Sequence, residues 1–214
     1  MSASTIPLFS KVFYCNNLKD ISDEVLGITQ KFLSQQSYRS VNTAANNPSF
    51  AESTVRCDLL EDKVLKTIKR SVLKEFCVFK NEVLKADTLE FGITTSWGTR
   101  TKPEKASPSH NHTNCYYSGV LYMDVTPDSG NIIFKDFSPK NYSFDEKITE
   151  GNIFNSRTFS WEPENKDVIF FPAEMYHQVL KNNSDTDRYS IAFNLIPIGS
   201  VGVYDSEFNY MEIE

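Results

Sequence analysis

The N-terminal third of the chain contains two stretches in which apolar residues recur every three or four positions, the period of an amphipathic helix. The first runs from Asp20 to Gln36, and Asp20 or Ser22 could cap its N-terminus. The second runs from Glu61 to about Leu84. The apolar positions are Ile21, Val25, Ile28 and Phe32 in the first stretch, and Val64, Ile68, Val72, Phe76, Phe79 and Val83 in the second. We therefore predict two helices here.

Beyond Asp87 the pattern changes to short apolar runs separated by Gly, Pro, Asn and Asp, which is typical of a meandering sheet. The runs are TLEFGITTSWG, YYSGVLYMDV, GNIIFKDF, DVIFFP, HQVLKN and RYSIAFNLIPI. Helices followed by many strands favour an α+β layout, with helices on one face of a β-sandwich or barrel. We expect a single domain, 1–214, with helical support in 1–86, a β core in 87–200 and a C-terminal tail in 201–214.

Composition and charge narrow the class of protein. The 214 residues are 40% hydrophobic and 23% charged, as in an ordinary globular domain. A net charge of −6 at pH 7 argues against nucleic-acid and anionic-membrane partners, and no apolar run is long enough to span a bilayer. The four cysteines have no CxxC spacing, which favours reduced thiols in a cytoplasmic protein, or in the host cytoplasm if a phage encodes it.

The three histidines of the chain form one suggestive pattern. His110 and His112 are one residue apart at the start of a predicted strand, so both side chains point to the same face. His177 follows much later, directly after DVIFFPAEMY. Imidazole is a common ligand of iron, zinc and copper, and these three could hold a metal from one side. Loops rich in Ser, Asn and Thr also carry histidines without any ligand, so both interpretations stay open.

The segment RYSIAFNL, which begins at Arg188, alternates strictly between two faces. One face is apolar, and the other carries Arg188, Ser190, Ala192 and Asn194. If this second face lines a barrel, Arg188 is a buried cation that needs a carboxylate, which an external dicarboxylate could supply with Ser190 adding a hydrogen bond. Alternatively, Arg188 lies at a strand end and pairs in solvent with Asp185 or Asp187.

The order of these motifs carries a family resemblance. HxH, then SGVLYMDVTPDSGNIIFKD, DVIFFPAEMYHQV and RYSIAFN, with TTSWGT upstream, resembles the iron(II)- and 2-oxoglutarate-dependent dioxygenases over roughly residues 91–197. The resemblance is strongest to the small 2OG-Fe(II) oxygenases of bacteria and marine phages. It implies a double-stranded β-helix (jelly-roll, cupin-like) core with N-terminal helices packed on one sheet. It also implies an oxidoreductase, most often a hydroxylase, that uses Fe(II) with 2-oxoglutarate and O2 as cosubstrates.

The resemblance also assigns roles to residues. The implied metal positions are His110, His112 and His177. The implied residues for the cosubstrate 2-oxoglutarate are Arg188, Ser190, Tyr122 and Asn194. Weaker candidates for the substrate pocket are Trp97, Tyr116 and Tyr117, since aromatic residues in a barrel strand also serve as core packing. The primary substrate stays open among a peptide side chain, a metabolite and a nucleobase.

Position 112 departs from the family pattern, in which the second metal ligand is a carboxylate. The chain could use three histidines, recruit Asp124 or Glu174, or have lost catalysis. We prefer three histidines, because the same-face spacing puts residue 112 where the acid would lie. The departure also supports an alternative function, a non-catalytic β-barrel module that binds a metal or a small acid. A three-histidine dioxygenase that works without 2-oxoglutarate is a third interpretation.

Overall fold

The computed structural model of the chain describes residues 6–8, 10–40, 50–138 and 149–210, and these form two antiparallel sheets with helices on one side. The strands are β1 (Tyr14–Asn17), β2 (Tyr38–Ser40), β3 (Glu52–Thr54), β4 (Glu90–Thr101), β5 (Ser107–His110), β6 (Tyr117–Asp124), β7 (Ile132–Lys135), β8 (Thr158–Trp161), β9 (Asp167–Pro172), β10 (Tyr176–Val179), β11 (Arg188–Val201) and β12 (Phe208–Tyr210). The main sheet has the order β1-β9-β6-β11-β4-β3-β2, and β12 pairs with the end of β11. The minor sheet has the order β5-β10-β7-β8.

The helices α1 (Asp23–Ser34) and α2 (Lys66–Val78) pack on the outer face of the main sheet. The N-cap of α1 is Ser22, whose hydroxyl accepts a hydrogen bond from the backbone N–H of Val25. Short 3-10 turns precede α2, and a π-helical turn, Phe79–Val83, follows it. None of the helices in the described ranges is long and apolar enough to cross a membrane. The predicted α+β layout, with helices against one sheet, is confirmed.

For three of the apolar residues in the helical patterns, the predicted burial against the sheet is wrong. Ile28, Val64 and Val83 are each about half exposed. The buried residues of α1 are Thr29 and Leu33. Ile28 therefore lies outside the face of the helix that packs against the sheet. Val64 and Val83 lie in the turns before and after α2, where the chain no longer follows the α-helical period.

The N-terminal segment contributes strands as well as helices. β1 pairs with β9, and the hairpin of β2 and β3 extends the main sheet beyond β4. At the other end of the chain, Phe208–Tyr210 pairs with Gly199–Val201. The strands β1, β2, β3 and β12 therefore extend the sheet whose centre lies within 87–200.

The strand β11 lies in the middle of the main sheet, hydrogen-bonded to β6 on one side and to β4 on the other. Phe193 on its outer face is fully buried and lies directly over Gly119 of β6, where an added Cβ would come within 2.4 Å of the ring. Glycine at 119 thus makes room for the phenylalanine. A second, smaller core between the two sheets contains Phe134 and Phe171. The inner face of β11 turns towards this space.

Candidate active site

The three histidines converge at the edge where the minor sheet meets the main sheet. His110 ends β5 and pairs directly in register with His177 of β10, and His112 follows two residues after His110. One ligand nitrogen from each ring lies within 4.8 Å of the others. The ring centroids are 5.3 Å apart for His110 and His112, 4.4 Å for His110 and His177, and 5.2 Å for His112 and His177. The three nitrogens are close enough together to form a candidate metal site.

Each histidine has its Nδ1 atom in a hydrogen bond with an oxygen. The Nδ1 of His110 lies 2.8 Å from the carbonyl oxygen of Pro108, and that of His177 lies 3.0 Å from the carbonyl oxygen of Met175. The Nδ1 of His112 lies 2.9 Å from the side-chain Oδ1 of Asn194. Because these oxygens only accept hydrogen bonds, each Nδ1 is the donor, and in the neutral form of each ring the lone pair for a metal is on Nε2.

Burial keeps two of the rings neutral. Burial, with a smaller contribution from the neighbouring imidazoles, lowers the pKa of His177 to about 3 and that of His112 to about 4. At pH 7 neither ring has to release a proton before it can bind a metal.

The cluster contains no carboxylate among the described residues. Glu174 is exposed and its carboxylate lies 3.9 Å from Nζ of Lys11. Asp124 is paired with Tyr189 in the sheet register, and burial raises the pKa of its carboxyl group. The structure therefore brings neither of the two alternative acids into the group of metal-binding atoms.

Arg188 is buried at the start of β11, with 2% of its surface exposed. Its Nη1 donates to the carbonyl oxygen of Gly130 at 2.7 Å, and its Nη2 lies 3.4 Å from Oγ1 of Thr101. Its Nε–H has no hydrogen-bond partner, and no carboxylate of the described residues lies within 4.0 Å. Burial lowers the pKa of the guanidinium. Pairing with Asp185 or Asp187 in solvent, the alternative considered above, is therefore wrong.

Tyr122 and Ser190 lie beside Arg188. The guanidinium carbon is 5.8 Å from the centroid of the Tyr122 ring, and Ser190 is the direct cross-strand partner of Tyr122. Both side chains are almost completely buried. Burial raises the pKa of Tyr122 to about 12, so its hydroxyl is protonated and can donate a hydrogen bond. The structure thus brings together three of the four predicted cosubstrate residues.

The fourth, Asn194, lies at the other end of the same strand face, in contact with His112. Trp97 of β4 also lies at this end, where its ring stacks on that of His112 with centroids 5.7 Å apart. These two predicted residues are therefore beside the three histidines, and Asn194 is about six strand residues, roughly 20 Å, from Arg188 along β11.

Of the two tyrosines predicted for the substrate pocket, Tyr117 faces away from this site and Tyr116 is largely exposed. Tyr116 is 63% exposed. Tyr117 packs against Phe76 and Phe79 in the core under α2, on the opposite face of β6 from Tyr122. Side chains alternate between the two faces of a strand, and the side chain of Tyr117 lies on the outer face of the main sheet.

Sequence reasoning missed several residues that shape the site. Ser118 and Thr95 hydrogen-bond the side chain of Asn194, Thr101 and Gly130 hold Arg188, and Phe171 packs on the ring of His177 with centroids 4.8 Å apart. Their roles follow from cross-strand register, which no single segment of the sequence reveals.

Residues 95–194 match the family model described as "Putative 2OG-Fe(II) oxygenase". This region is a 2OG-Fe(II) oxygenase domain. The match contains both halves of the site, from Trp97 and the histidines to Arg188 and Asn194. It confirms the family predicted from the sequence, and with it an oxidoreductase that uses iron(II) and 2-oxoglutarate.

Solved structures share the jelly-roll fold of the oxygenase domain. A prolyl-4-hydroxylase from Pseudomonas putida has a TM-score of 0.59 and 13% identity, with 87% of this chain and 94% of that chain covered. HygX from Streptomyces hygroscopicus, with nickel, 2-oxoglutarate and hygromycin B bound, has a TM-score of 0.59 and 12% identity over 87% and 83% of the two chains.

A third structure is the prolyl hydroxylase from Trichoplax adhaerens in complex with a peptide of the hypoxia inducible factor oxygen degradation domain. It has a TM-score of 0.60 and 13% identity, covering 86% of this chain and 83% of that chain. A search of curated protein sequences finds no match. At these identities the structures show the fold, and the predicted double-stranded β-helix is confirmed.

Proposed function

We propose that the chain is an iron(II)- and 2-oxoglutarate-dependent hydroxylase in which His110, His112 and His177 hold the metal through Nε2. Arg188 grips the far carboxylate of 2-oxoglutarate. The observation that carries the proposal is the inner face of β11. One end of this face carries a buried guanidinium with an unpaired N–H, and the other end touches a metal-binding histidine.

The environment of Arg188 supports a carboxylate ligand. A buried cation without a negative partner is unfavourable, and a carboxylate that binds it in a fork would remove that cost. Carbonyl and hydroxyl oxygens satisfy part of the guanidinium, but they bring no charge. The hydroxyls of Ser190 and Tyr122 are suited to donate to the same carboxylate. A buried dicarboxylate pocket at this end needs all three side chains.

The three imidazoles fit a divalent iron. Nitrogen ligands suit iron, and the hydrogen bonds at Nδ1 leave each Nε2 as the atom that can bind it. When bound, iron supplies the oxygen activation that couples decarboxylation of 2-oxoglutarate to oxidation of a C–H bond. The protein orients the ligands through their Nδ1 hydrogen bonds and shields His177 from water with Phe134 and Phe171.

The histidine at position 112 favours a second candidate function, a metal- or small-acid-binding module without turnover. It leaves the site one negative charge short of the family pattern. A succinate-release assay over a panel of peptide, metabolite and nucleobase substrates separates the two functions. Succinate formation that depends on iron and on one substrate supports the hydroxylase, and binding without any succinate across the panel supports the module.

We infer that the enzyme acts in the cytoplasm on one of these three substrate classes. All four cysteines are free thiols, two of them exposed, which suits a reducing compartment.

The decisive experiment is an anaerobic titration of 2-oxoglutarate into the iron-loaded protein, followed by the visible absorption of the chelate. Arg188→Ala should weaken 2-oxoglutarate binding by about tenfold to more than a hundredfold, since a charge-assisted hydrogen bond contributes about 1.5–3 kcal/mol. Metal content should stay nearly unchanged. Arg188→Lys should recover part of the loss, because an ammonium cannot form the planar fork.

The matched control is Arg39→Ala, which removes an exposed arginine of β2 and should leave the dissociation constant as in the parent. Equal dissociation constants for the parent and Arg188→Ala would exclude Arg188 as the anchor of 2-oxoglutarate.

A further inference from the structure

We propose that Asn194 is the positioning residue that makes His112 a metal ligand in the place where the family has a carboxylate. This inference rests on the proposed metal site and assigns Asn194 to the metal end of the site, although the sequence placed it with the cosubstrate. Its Oδ1 lies 2.9 Å from Nδ1 of His112. The ligands His110 and His177 take the equivalent hydrogen bond from backbone carbonyls within two residues of themselves. His112 alone depends on a side chain from a distant strand.

Two cross-strand partners, Thr95 and Ser118, hold the amide of Asn194. Asn194 pairs in register with Thr95 of β4 on one side and with Ser118 of β6 on the other. The hydroxyl of Ser118 donates to Oδ1 of Asn194 at 2.9 Å, and Nδ2 of Asn194 donates to Oγ1 of Thr95 at 3.1 Å. Every polar atom of the amide therefore has a partner, and Oδ1 is the atom that faces His112.

The orientation of this amide decides which nitrogen of His112 carries the proton. With Oδ1 facing the ring, Nδ1 must be protonated and Nε2 is free to bind a metal. The opposite orientation would present the NH2 group, which requires an unprotonated Nδ1 and places the proton on Nε2. Ser118 and Thr95 can donate or accept, so they tolerate both orientations, and the orientation present here is the one that leaves Nε2 of a neutral His112 free.

The backbone beside Asn194 is also specialised. The pairing of β11 with β4 shifts directly after Asn194, where Asn194 faces Thr95 but Leu195 faces Ile93. The shift leaves Thr94 as an extra residue on β4. Bulges of this kind redirect side chains next to functional sites, and this one lies at the residue that contacts His112.

Metal affinity tests the role of Asn194 without turnover. Co(II) is titrated anaerobically into the parent, Asn194→Ala, Asn194→Asp and the control Asn165→Ala. Asn165 is also half-buried and also uses its amide oxygen, which accepts from the backbone N–H of Val125. Asn194→Ala should weaken Co(II) binding by about 10- to 100-fold, the range for partners of metal-ligating histidines. Asn194→Asp should bind at least as tightly as the parent, because a carboxylate accepts the same hydrogen bond. Asn165→Ala should lower the stability of the protein but leave its Co(II) affinity unchanged.

Two further readouts separate positioning from general damage. In the His112→Ala background, Asn194→Ala should cause no additional loss of Co(II) affinity, because the two residues act through one hydrogen bond. In proton NMR spectra of the Co(II) protein, the shifted exchangeable Nδ1–H signal of His112 should disappear in Asn194→Ala and persist in Asn165→Ala. Circular dichroism checks that each variant is folded.

The results distinguish this inference from the proposed function. A parent protein that binds no Co(II) overturns the metal site itself. A parent that binds Co(II) while Asn194→Ala binds equally well overturns only the role of Asn194. Equal weakening by Asn194→Ala and Asn194→Asp also overturns it, since the hydrogen bond would then not be the cause.

Discussion

The two faces of β11 have opposite characters, although they alternate along one strand. The outer face carries Tyr189, Ile191, Phe193 and Leu195, which pack under the helices in the large core. The inner face carries Arg188, Ser190, Ala192 and Asn194, and Arg188 and Asn194 hydrogen-bond groups outside the strand. Burial on the outer face stabilises the fold, whereas burial of an uncompensated cation on the inner face opposes it. One strand thus contributes stability through one face and presents polar side chains through the other.

Truncation of Phe193 on the outer face of β11 should cause the largest loss of stability. Phe193→Ala deletes a fully buried ring that fills the space over Gly119, and should lower the free energy of unfolding by about 3–5 kcal/mol. Urea denaturation of the parent and the variant measures this change in the free energy of unfolding. The control Phe154→Ala, at an exposed side chain, should stay within about 0.5 kcal/mol of the parent. In the folded protein Co(II) affinity should be retained, and its loss in parallel with stability would show that the faces are not independent.

Replacement of His177, which lies on the inner side of the sheets, should cause the largest loss of metal affinity. His177→Ala takes away the most buried of the three imidazoles, and Co(II) affinity should fall by at least the roughly 100-fold that loss of a supporting partner reaches. Anaerobic titration measures the affinity, with Cys57→Ser as a control for binding by exposed thiols. Unchanged metal stoichiometry in His177→Ala would rule out the histidine cluster.

Most substitutions of buried residues lower the free energy of unfolding, but replacement of Arg188 by an apolar residue should raise it. Arg188→Met should raise the free energy of unfolding of the ligand-free protein by about 1 kcal/mol, because it removes a buried charge without a counter-ion. The same variant should no longer gain thermal stability from 2-oxoglutarate. Thermal unfolding with and without the cosubstrate tests both points. A destabilised Arg188→Met would indicate that the arginine serves the fold.

The smallest effect is expected at Tyr122. Tyr122→Phe keeps the ring in the inner core and removes only the hydroxyl, so 2-oxoglutarate binding should weaken by about 2- to 12-fold, the equivalent of about 0.5–1.5 kcal/mol. The control is Tyr204→Phe, at a side chain that is 92% exposed. Calorimetric titration of the iron-loaded proteins should resolve the difference, and identical affinities would remove Tyr122 from the cosubstrate pocket.

Much of this architecture could be predicted from local pattern. The alternation from Arg188 to Leu195 predicts both faces of β11, and the spacing of His110 and His112 predicts a common side. The family motifs predict that His177 joins them. These features depend only on the period of a strand and on motif order, which the sequence contains directly.

The remaining features depend on register between distant strands. The contact of Asn194 with His112 requires the pairing of β11 with β4 and β6 and the shift beside Thr94. The faces of Tyr117 and Tyr122 depend on where β6 joins the sheet, because a difference of one residue exchanges inside and outside. The strands β1, β2 and β3 are short, and their pairing partners rather than their own patterns define them.

The same alternation limits how this strand can change over evolutionary time. Substitutions at positions 190, 192 and 194 can alter the chemistry of the inner face while the side chains at 189, 191 and 193 keep their packing. An insertion or deletion between 188 and 195 would move charged groups into the apolar core and aromatic rings into the ligand space in one step. Descendants of this chain should therefore vary here by replacement at constant length, and length changes should accumulate in the segments outside the paired strands.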